Sequence, residues 1–374
     1  MVKTIFVDCY LAHNLGDDLF LYTLLARYPE THFVIIADNS YSDLADQFGN
    51  VDIFVVDMPS KQNGLVAWWK SYCSFINRRS MLVHNADAMV TIGGSLYMEN
   101  PRRSLRSFIG RERRFLSDKE LVRQVTNREY FIIGANFGPF HSSAYLRFYK
   151  KIFAKYCRDI CFRDVYSANL FSEISVVRHA PDVLFNASLP ETATEKKIFI
   201  SVVDLKRSDK FGELSIKTEA YDRLIAAYMK KYNKLGYEIV LCSFCQCEGD
   251  ESAVQRLMQF AQSDGIKARA LYYRNNMKEV LTELASSSVV LGTRFHATIL
   301  GLLAGADVLP IMYSHKTKHV LEDMGFDMRN AIDLKTDEWM NAPEANLPNP
   351  IHYNVTDIVR DAAQQFAALD EYLK

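Results

Sequence analysis

Short β-rich runs alternate along this chain with longer amphipathic runs, and this alternation constrains the fold more than any other feature. Apolar runs such as 4–8, 32–37 and 88–92 are rich in β-branched and aromatic residues, and a stretch with helical periodicity separates each run from the next. Parallel strands need such a crossover, because the chain must return to the same end of the sheet before the next strand starts. The sequence therefore predicts an α/β protein built from parallel sheets.

The pattern starts again in the second half of the chain, which predicts two Rossmann-like domains. A chain of 374 residues has the length of two ordinary domains, each large enough to bury its own core. The polar, aperiodic segment 188–197 separates the two halves and is the candidate linker. We expect an N-terminal domain over residues 1–190, a C-terminal domain over 191–350, and a final helix within 351–374 that returns to the first domain.

The charge balance excludes attraction to nucleic acid by a global electrostatic field. The 44 Lys and Arg residues nearly cancel the 45 Asp and Glu residues, which leaves a formal net charge of −1 at pH 7. The odd number of cysteines, 7, predicts reduced thiols and a cytoplasmic location. Cys242, Cys245 and Cys247 have a spacing known from metal sites, but no second cysteine pair or nearby histidine completes four ligands, so we expect no metal.

Glycine-containing turns follow three predicted strands of the first half, at 13–18, 93–95 and 134–139. Open parallel sheets bind ligands at the carboxyl ends of their strands. Glycine there lets a ligand approach the backbone, and the helix that follows offers N–H groups to an anion. One such turn would favour a purely structural role, whereas three at one sheet edge favour a ligand site. None of the three matches a dinucleotide or nucleoside triphosphate motif.

An arginine and a histidine, two residues apart, follow the predicted strand 289–292. Arg294 could hold a carboxylate or phosphate through two parallel hydrogen bonds, with His296 as a titratable proton donor beside it. In the structural alternative, Arg294 pairs with a neighbouring carboxylate and His296 is buried neutral in the core; the spacing favours neither interpretation. Lys316, after the predicted strand 308–311, could reach the same ligand or remain a solvated surface lysine.

Two further groups of charged residues could belong to a site, and each has a structural alternative. Arg163 and Asp182 follow strand-like runs, where such charges commonly form ion pairs at a domain interface. Six arginines lie between Arg102 and Arg114, downstream of the pair Trp68 and Trp69. This arginine run could contact anionic headgroups or a pyrophosphate, although a solvated helix face is the more common explanation.

Taken in order, these strand-end sequences resemble the polysaccharide pyruvyl transferase family. They extend over most of the chain, and the last of them, which runs into an apolar helix, is the most specific. Members of that family often have Gln where this chain has Asn136. The matching elements are Asn14-x-Gly16-Asp17, Gly93-Gly94, Gly134-x-x-x-Gly138-Pro139, Arg163-Asp164-x-x-Ser167, Pro181-Asp182 and Arg294-x-His296-Ala297.

The resemblance implies two Rossmann-like domains facing a central cleft, as in glycosyltransferases of the B type, with the donor held mainly by the C-terminal domain. It implies phosphoenolpyruvate as the donor substrate, no cofactor, and a pyruvate ketal formed on a sugar of a surface polysaccharide or its precursor. A lipid-linked sugar acceptor would bring this otherwise cytoplasmic protein into peripheral contact with the inner face of the membrane, through the arginine run.

The expected donor assigns roles to the cationic residues. Phosphoenolpyruvate carries a carboxylate and a phosphate, so its site must supply several positively charged donors. We assign donor binding to Arg294, Arg163 and Lys316.

The expected reaction also needs a proton donor and a base. Protonation of the methylene carbon needs a general acid, for which His296 is the candidate, and Asp17 or its neighbour Asp18 is the candidate base for the sugar hydroxyl. The residues assigned to the acceptor are Asn14, Gly94 and Asn136.

Two other functions stay open on the sequence alone. A glycosyltransferase that uses a nucleotide-sugar donor would have the same two-domain frame, but the second half offers no clear acid for a ribose. A non-catalytic module that binds anionic glycans would not need a proton donor beside Arg294. Thermal shifts with phosphoenolpyruvate and with nucleoside diphosphates would separate the two enzyme classes.

Overall fold

A computed structural model describes residues 2–55, 64–99, 128–340, 342–343 and 346–374, and it includes no side-chain description for 64–69. The chain divides into two compact units. The first unit contains Met1–Tyr10, Phe20–Val183 and Ala363–Lys374, and the second contains Leu11–Leu19 and Leu184–Ala362. Each unit is built around one parallel sheet.

The first unit contains a seven-stranded sheet in which every neighbouring pair is parallel. The order across this sheet is β3-β2-β1-β4-β5-β6-β7, so the direction of winding reverses between β1 and β4, as in a Rossmann fold. The strands are β1 (Thr4–Cys9), β2 (His32–Ala37), β3 (Val51–Val55), β4 (Ala88–Ile92), β5 (Glu129–Ala135), β6 (Asp159–Phe162) and β7 (Val177–His179).

The second unit repeats this architecture with a six-stranded parallel sheet of order β10-β9-β8-β11-β12-β13. Its winding reverses between β8 and β11. Strands β8, β9, β11 and β12 are mostly buried on both faces, which explains why they read as apolar runs, whereas the edge strand β10 is mostly half-buried. The strands are β8 (Glu195–Val202), β9 (Glu238–Ser243), β10 (Ala268–Tyr272), β11 (Ser287–Gly292), β12 (Asp307–Met312) and β13 (Ile332–Asp333).

Helices connect the strands of both sheets. Within the described ranges, no helix is both long enough and apolar enough to cross a bilayer. The helices are α1 (Leu15–Arg27), α2 (Leu44–Phe48), α3 (Gly64–Asn85), α4 (Ser143–Tyr156), α5 (Val165–Asn169), α6 (Ser208–Phe211), α7 (Thr218–Lys234), α8 (Asp250–Ser263), α9 (Met277–Ala285), α10 (Phe295–Leu303), α11 (His315–Asp323), α12 (Thr356–Ala362) and α13 (Ala367–Leu373).

Helix α4 shows how the sequence pattern produces these elements. The hydroxyl of Ser142 accepts a hydrogen bond of 3.2 Å from the amide of Tyr145 and caps the first turn. Tyr145, Tyr149, Ile152 and Phe153 recur at helical spacing and are buried together in the core of the first unit. The opposite face of α4 is more polar, so its periodicity fixes which side meets the sheet.

The α/β architecture predicted from the sequence is confirmed. Five predicted strands lie within two residues of their observed bounds, namely 4–8, 32–37, 88–92, 289–292 and 308–311. Two short edge strands were not predicted, β7 and β13, because three and two residues are too few to show periodicity. The expected linker 188–197 was too long at its end. Strand β8 begins at Glu195, and Lys197 within it is buried and bonded to Glu283 and Ser286.

The C-terminal segment is not one continuous helix, contrary to the expectation. A 3₁₀ turn, Ala363–Phe366, separates α12 from α13 and carries the buried side chain of Gln365. That amide donates to the carbonyl oxygens of Phe162 and Ala180, at 3.3 and 2.8 Å, and accepts from the backbone of Gly134 at 2.9 Å. Gln365 therefore ties the end of the chain to the sheet of the first unit.

The arginine run between Arg102 and Arg114 lies outside the described residues, and so do the side chains of Trp68 and Trp69. Their interpretation as a membrane-facing surface stays a prediction.

Candidate active site

The carboxyl edge of the second sheet presents a charged cluster beside the point where the winding reverses. Arg294 follows β11, Lys210 lies in α6 beyond β8, and Glu248 and Asp250 follow β9. We call these four residues the Arg294 cluster. This edge is where doubly wound sheets bind their ligands.

The turn between β11 and α10 fixes the backbone of Arg294. The amide of Arg294 donates to the hydroxyl of Ser201 on the neighbouring strand, at 3.1 Å. A Cβ at Gly292 would lie only 2.8 Å from the amide nitrogen of Thr298, so only glycine lets α10 pack this closely on β11. The first turn of α10 is therefore rigidly placed at the sheet edge.

The guanidinium of Arg294 is paired with two carboxylates. Its Nε donates to Asp250 at 2.8 Å and its Nη2 to the other oxygen of the same carboxylate, a bidentate arrangement. Its Nη1 donates to the carboxylate of Glu248, which also forms an ion pair with the ammonium of Lys210. The structure thus contains the carboxylate pairing that was the structural alternative for Arg294.

Electrostatics in the Arg294 cluster favour the ionised form of Glu248. Burial by itself would raise the pKa of this carboxyl, but the charges of Arg294 and Lys210 outweigh burial and lower the pKa to about 2. Burial and the positive charge of Arg294 lower the pKa of Lys210. The cluster therefore holds two cations and two carboxylates and is close to neutral.

His296 is the second residue of α10 and is half-buried, so it is not sealed in the core. Its ring packs against Phe295 at 5.1 Å between centroids and against the backbone of Gly16. A Cβ at Gly16 would overlap that imidazole, with Cε1 only 2.6 Å away. Gly16 is thus the residue that leaves room for His296.

Gly16 belongs to the segment Leu11–Leu19, which packs with the second unit. Asn14 forms an isolated antiparallel bridge with Cys245, and the amide of Leu15 donates to the carbonyl of Phe244 at 3.0 Å. These backbone contacts bring the start of α1 to the carboxyl end of β9. The predicted residues Asn14 and Asp17 therefore lie in the same unit as Arg294 and His296.

The two acids at the start of α1 have different surroundings. Asp18 is fully buried and accepts a hydrogen bond of 2.8 Å from the hydroxyl of Tyr273. Asp17 is half-buried. Burial raises the pKa of Tyr313 to about 12, with Arg294 opposing the shift and Asp17 adding to it. Asp18 thus anchors the segment, and the role of Asp17 as a base stays a prediction.

Lys316 is half-buried in the first turn of α11, which follows β12. It therefore lies in the second unit, on an element that starts at the same sheet edge as the Arg294 cluster. Its role as a donor ligand stays a prediction.

The remaining predicted residues come together in the first unit. Arg163 is 3% exposed and bonds Asp182 at 3.0 Å and the amide oxygen of Asn136 at 2.7 Å. The carbonyl of Gly94 accepts from the amide of Asn136, and a Cβ at Gly94 would lie 2.6 Å from the guanidinium. The structure therefore brings Arg163, Asn136 and Gly94 into one buried network.

Two neighbouring motif residues have structural roles in the first unit. The carboxylate of Asp164 accepts from the amide of Ser167 at 2.7 Å and caps α5. The hydroxyl of Ser167 in turn accepts from the amide of Phe137 at 2.8 Å. This element of the resemblance therefore positions the strand-end loop.

Sequence reasoning missed three members of the Arg294 cluster. Glu248 and Asp250 follow β9, so their position at the end of a strand, the signal that singled out Arg294, could have found them. Lys210 lies eight positions past the end of β8, in a short helix without any motif.

The cysteines at 242–247 were singled out for their spacing. Cys242 and Cys245 are buried, and Cys247 is exposed. Burial raises the pKa of Cys245 to about 12, which keeps it a thiol. Within the described part of the chain, no group of three or more potential ligands is arranged to hold a metal ion.

Comparison with known sequences identifies a family. A sequence model of the polysaccharide pyruvyl transferase family matches residues 14–315. The amylovoran biosynthesis protein AmsJ of Erwinia amylovora is 20% identical over an alignment of 263 residues, and the match covers 64% of this chain. The match spans 60% of the length of AmsJ.

Solved structures share the fold at low sequence identity. HepE of Anabaena, solved in complex with UDP and glucose, superposes with a TM-score of 0.53 at 11% identity and covers 100% of this chain and 99% of its own. A UDP-N-acetylglucosamine 2-epimerase assigned in Listeria monocytogenes gives a TM-score of 0.53 at 12% identity, covering 99% of this chain and 97% of its own. These likenesses confirm the expected class, two Rossmann-like units of the B-type glycosyltransferase kind.

Proposed function

Because this chain belongs to the polysaccharide pyruvyl transferase family, we propose that it transfers the enolpyruvate-derived group of phosphoenolpyruvate to a sugar as a pyruvate ketal. The proposed acceptor is a sugar of a surface polysaccharide or its precursor. The name of AmsJ, which refers to the biosynthesis of amylovoran, supports this class of acceptor.

One observation carries the proposal. The most specific element of the family resemblance, Arg294 followed by His296, lies at the carboxyl edge of the second sheet, where the winding reverses. Lys210 adds a second cation there, and the half-buried His296 adds a titratable group. This combination suits a small substrate that carries two anionic groups and must be protonated.

In the proposed reaction, His296 donates a proton to the methylene carbon of phosphoenolpyruvate. The neighbouring carbon gains oxocarbenium character and is attacked by a sugar hydroxyl, whose proton goes to Asp17. Phosphate then leaves with its bonding electron pair, and a second hydroxyl closes the ketal while its proton returns to the imidazole of His296. Asp17 releases its proton to the departing phosphate. Substrate and sugar supply every atom without net oxidation, so the scheme needs no redox cofactor.

The other residues assigned from the sequence divide between the second unit and the first. Lys316 is proposed as a further donor contact in the second unit. Arg163 was assigned to the donor, and Gly94 and Asn136 to the acceptor. These three residues contact one another in a buried network of the first unit. A substrate contact by Arg163 would therefore have to coexist with its ion pair to Asp182.

The direct test incubates the purified protein with phosphoenolpyruvate and a panel of glycosides, and follows phosphate release and sugar mass together. We expect phosphate in a one-to-one ratio to a sugar product that is heavier by one pyruvate less one water. Matched incubations with UDP-sugars should give no product. Transfer of a sugar from a UDP-sugar, with phosphoenolpyruvate unused, would instead support the nucleotide-sugar glycosyltransferase.

A further inference from the structure

We propose that Glu248 is an exchangeable counter-ion of the Arg294 cluster, and that a phosphate or carboxylate of the substrate replaces it on Arg294 and Lys210. This inference rests on the proposed function, because it names the cationic pair that takes the anionic donor. It also assigns Lys210, which no motif had indicated, to donor binding.

The two carboxylates of the cluster are held differently. Asp250 is fully buried, accepts both Nε and Nη2 of Arg294, and accepts a third bond of 3.1 Å from the amide of Cys245. Glu248 is 30% exposed and is held by two cationic side chains, one hydrogen bond from each. Asp250 is therefore the fixed partner of Arg294, and Glu248 is the partner that solvent can replace.

The position of the Glu248 carboxylate marks where an anion would bind. Arg294 Nη1 and Lys210 Nζ converge on the same carboxylate oxygen. If the Glu248 side chain turns away, two charged donors point to one vacated position. Phosphate and carboxylate oxygens are the acceptors such donors hold best.

Charge balance favours replacement over simple addition. With both carboxylates in place the cluster is neutral, so a dianionic ligand added to it would bring two uncompensated negative charges to a largely buried place. If Glu248 leaves for solvent as the ligand enters, one of those charges is offset. Repulsion between Glu248 and the ligand then becomes a reason for exchange.

The backbone around Glu248 allows exchange by rotation of the side chain alone. The amide of Gly249 donates to the carbonyl of Gln246 at 3.0 Å, and Arg207 bonds the carbonyl of Cys247 at 3.1 Å. Both contacts fix the loop without using the Glu248 side chain. No rearrangement of the sheet edge is required.

The test measures binding of inorganic phosphate and of phosphoenolpyruvate by calorimetry at pH 7, without any acceptor. Glu248→Gln removes the competing charge and should lower both dissociation constants about ten-fold, which corresponds to the free energy of one charge-assisted hydrogen bond. Lys210→Met should weaken both about ten-fold. Both side chains are partly exposed, at 30% and 27%, so neither change is expected to prevent folding.

Matched controls come from the opposite edge of the same sheet. Glu238→Gln changes the first residue of β9, and Lys196→Met changes a residue at the amino end of β8. Each removes the same type of charge far along its strand from the cluster. Neither should change either dissociation constant by more than about two-fold, since exposed charges at this distance are screened by salt.

The outcomes separate this inference from the proposed function. Unchanged or weaker phosphate binding by Glu248→Gln would overturn the exchange, and unchanged binding by Lys210→Met would overturn the role of Lys210. If both variants shift as expected but no glycoside gains a pyruvyl group, the inference stands and the proposed function fails. If the sugar product forms while Glu248→Gln binds phosphate no better than the wild type, the proposed function stands and the exchange of Glu248 fails.

Discussion

Substituting Gly16 tests the placement of His296 without altering the histidine itself. A Cβ at position 16 would overlap Nδ1 and Cγ of the ring, and even Cε1, at 2.6 Å, would be nearer than ordinary contacts, which start at 3.4 Å, so the ring must retreat by more than about 1 Å. A displacement of about 1 Å at a catalytic group costs on the order of 10²-fold in rate. We therefore expect Gly16→Ala to lower kcat about 100-fold.

Stability should change little in this variant. Gly16 lies in the first turn of α1, where alanine favours the helix by up to about 1 kcal/mol over glycine. This gain offsets the cost of moving the ring, which ends a side chain with two rotatable bonds. Unfolding free energy should therefore stay within about 1 kcal/mol of the wild type.

The assay compares steady-state phosphate release with urea unfolding. Gly265→Ala is the control, because Gly265 has a left-handed φ of +64° and nothing within 4 Å of its added Cβ. It should lose stability without a matching loss of kcat. The reasoning about His296 would be refuted if Gly16→Ala kept the wild-type kcat, or if its kcat fell only in proportion to the fraction unfolded.

Three further predictions concern His296, Arg163 and Glu248. His296→Asn should bind phosphoenolpyruvate as the wild type does but lose roughly 10²- to 10⁴-fold in kcat, whereas lost binding with intact kcat would make His296 a ligand only. Arg163→Met leaves Asp182 buried without its cation, so urea unfolding should show a loss of about 3–5 kcal/mol, and a loss below about 1 would contradict a structural ion pair. The fold lowers the pKa of Glu248 from 4.5 to about 2, so the ionised carboxylate stabilises the folded state fully above about pH 4.5. At about 1.36 kcal/mol per pKa unit this stabilisation is up to about 3 kcal/mol, and it is lost as the pH falls towards 2. The stability difference between the wild type and Glu248→Gln should therefore shrink from pH 5 to pH 3, and a constant difference would argue against it.

The architecture could be predicted because each buried strand is marked in the local sequence by a short run of apolar residues. The run 88–92 is apolar apart from one threonine and lies between Asp87 and the glycine pair 93–94, so its bounds follow from the sequence. Because ligands bind at the carboxyl ends of parallel strands, the sequence alone then places Arg294 at a candidate binding edge. Edge strands such as β7 and β13 carry no such signal, because they are short and only partly buried.

The sequence could single out Glu248 and Asp250 as strand-end residues, but their pairing with Arg294 could not be predicted from spacing. The strand order places β9 next to β8 and β8 next to β11, so the loops that carry Asp250 and Arg294 meet only once the sheet has formed. The packing of Leu11–Leu19 with the second unit is equally invisible, since the backbone contacts of Leu15 have no side-chain signature. Long-range pairing decided both features.

A crystal structure with bound phosphoenolpyruvate would test the central claim most directly. The account predicts the donor at the carboxyl edge of the second sheet, with an anionic oxygen bonded to both Arg294 and Lys210, the Glu248 side chain turned towards solvent, and His296 beside the methylene carbon. Phosphoenolpyruvate bound elsewhere on the chain, with Glu248 still paired to Arg294, would contradict it.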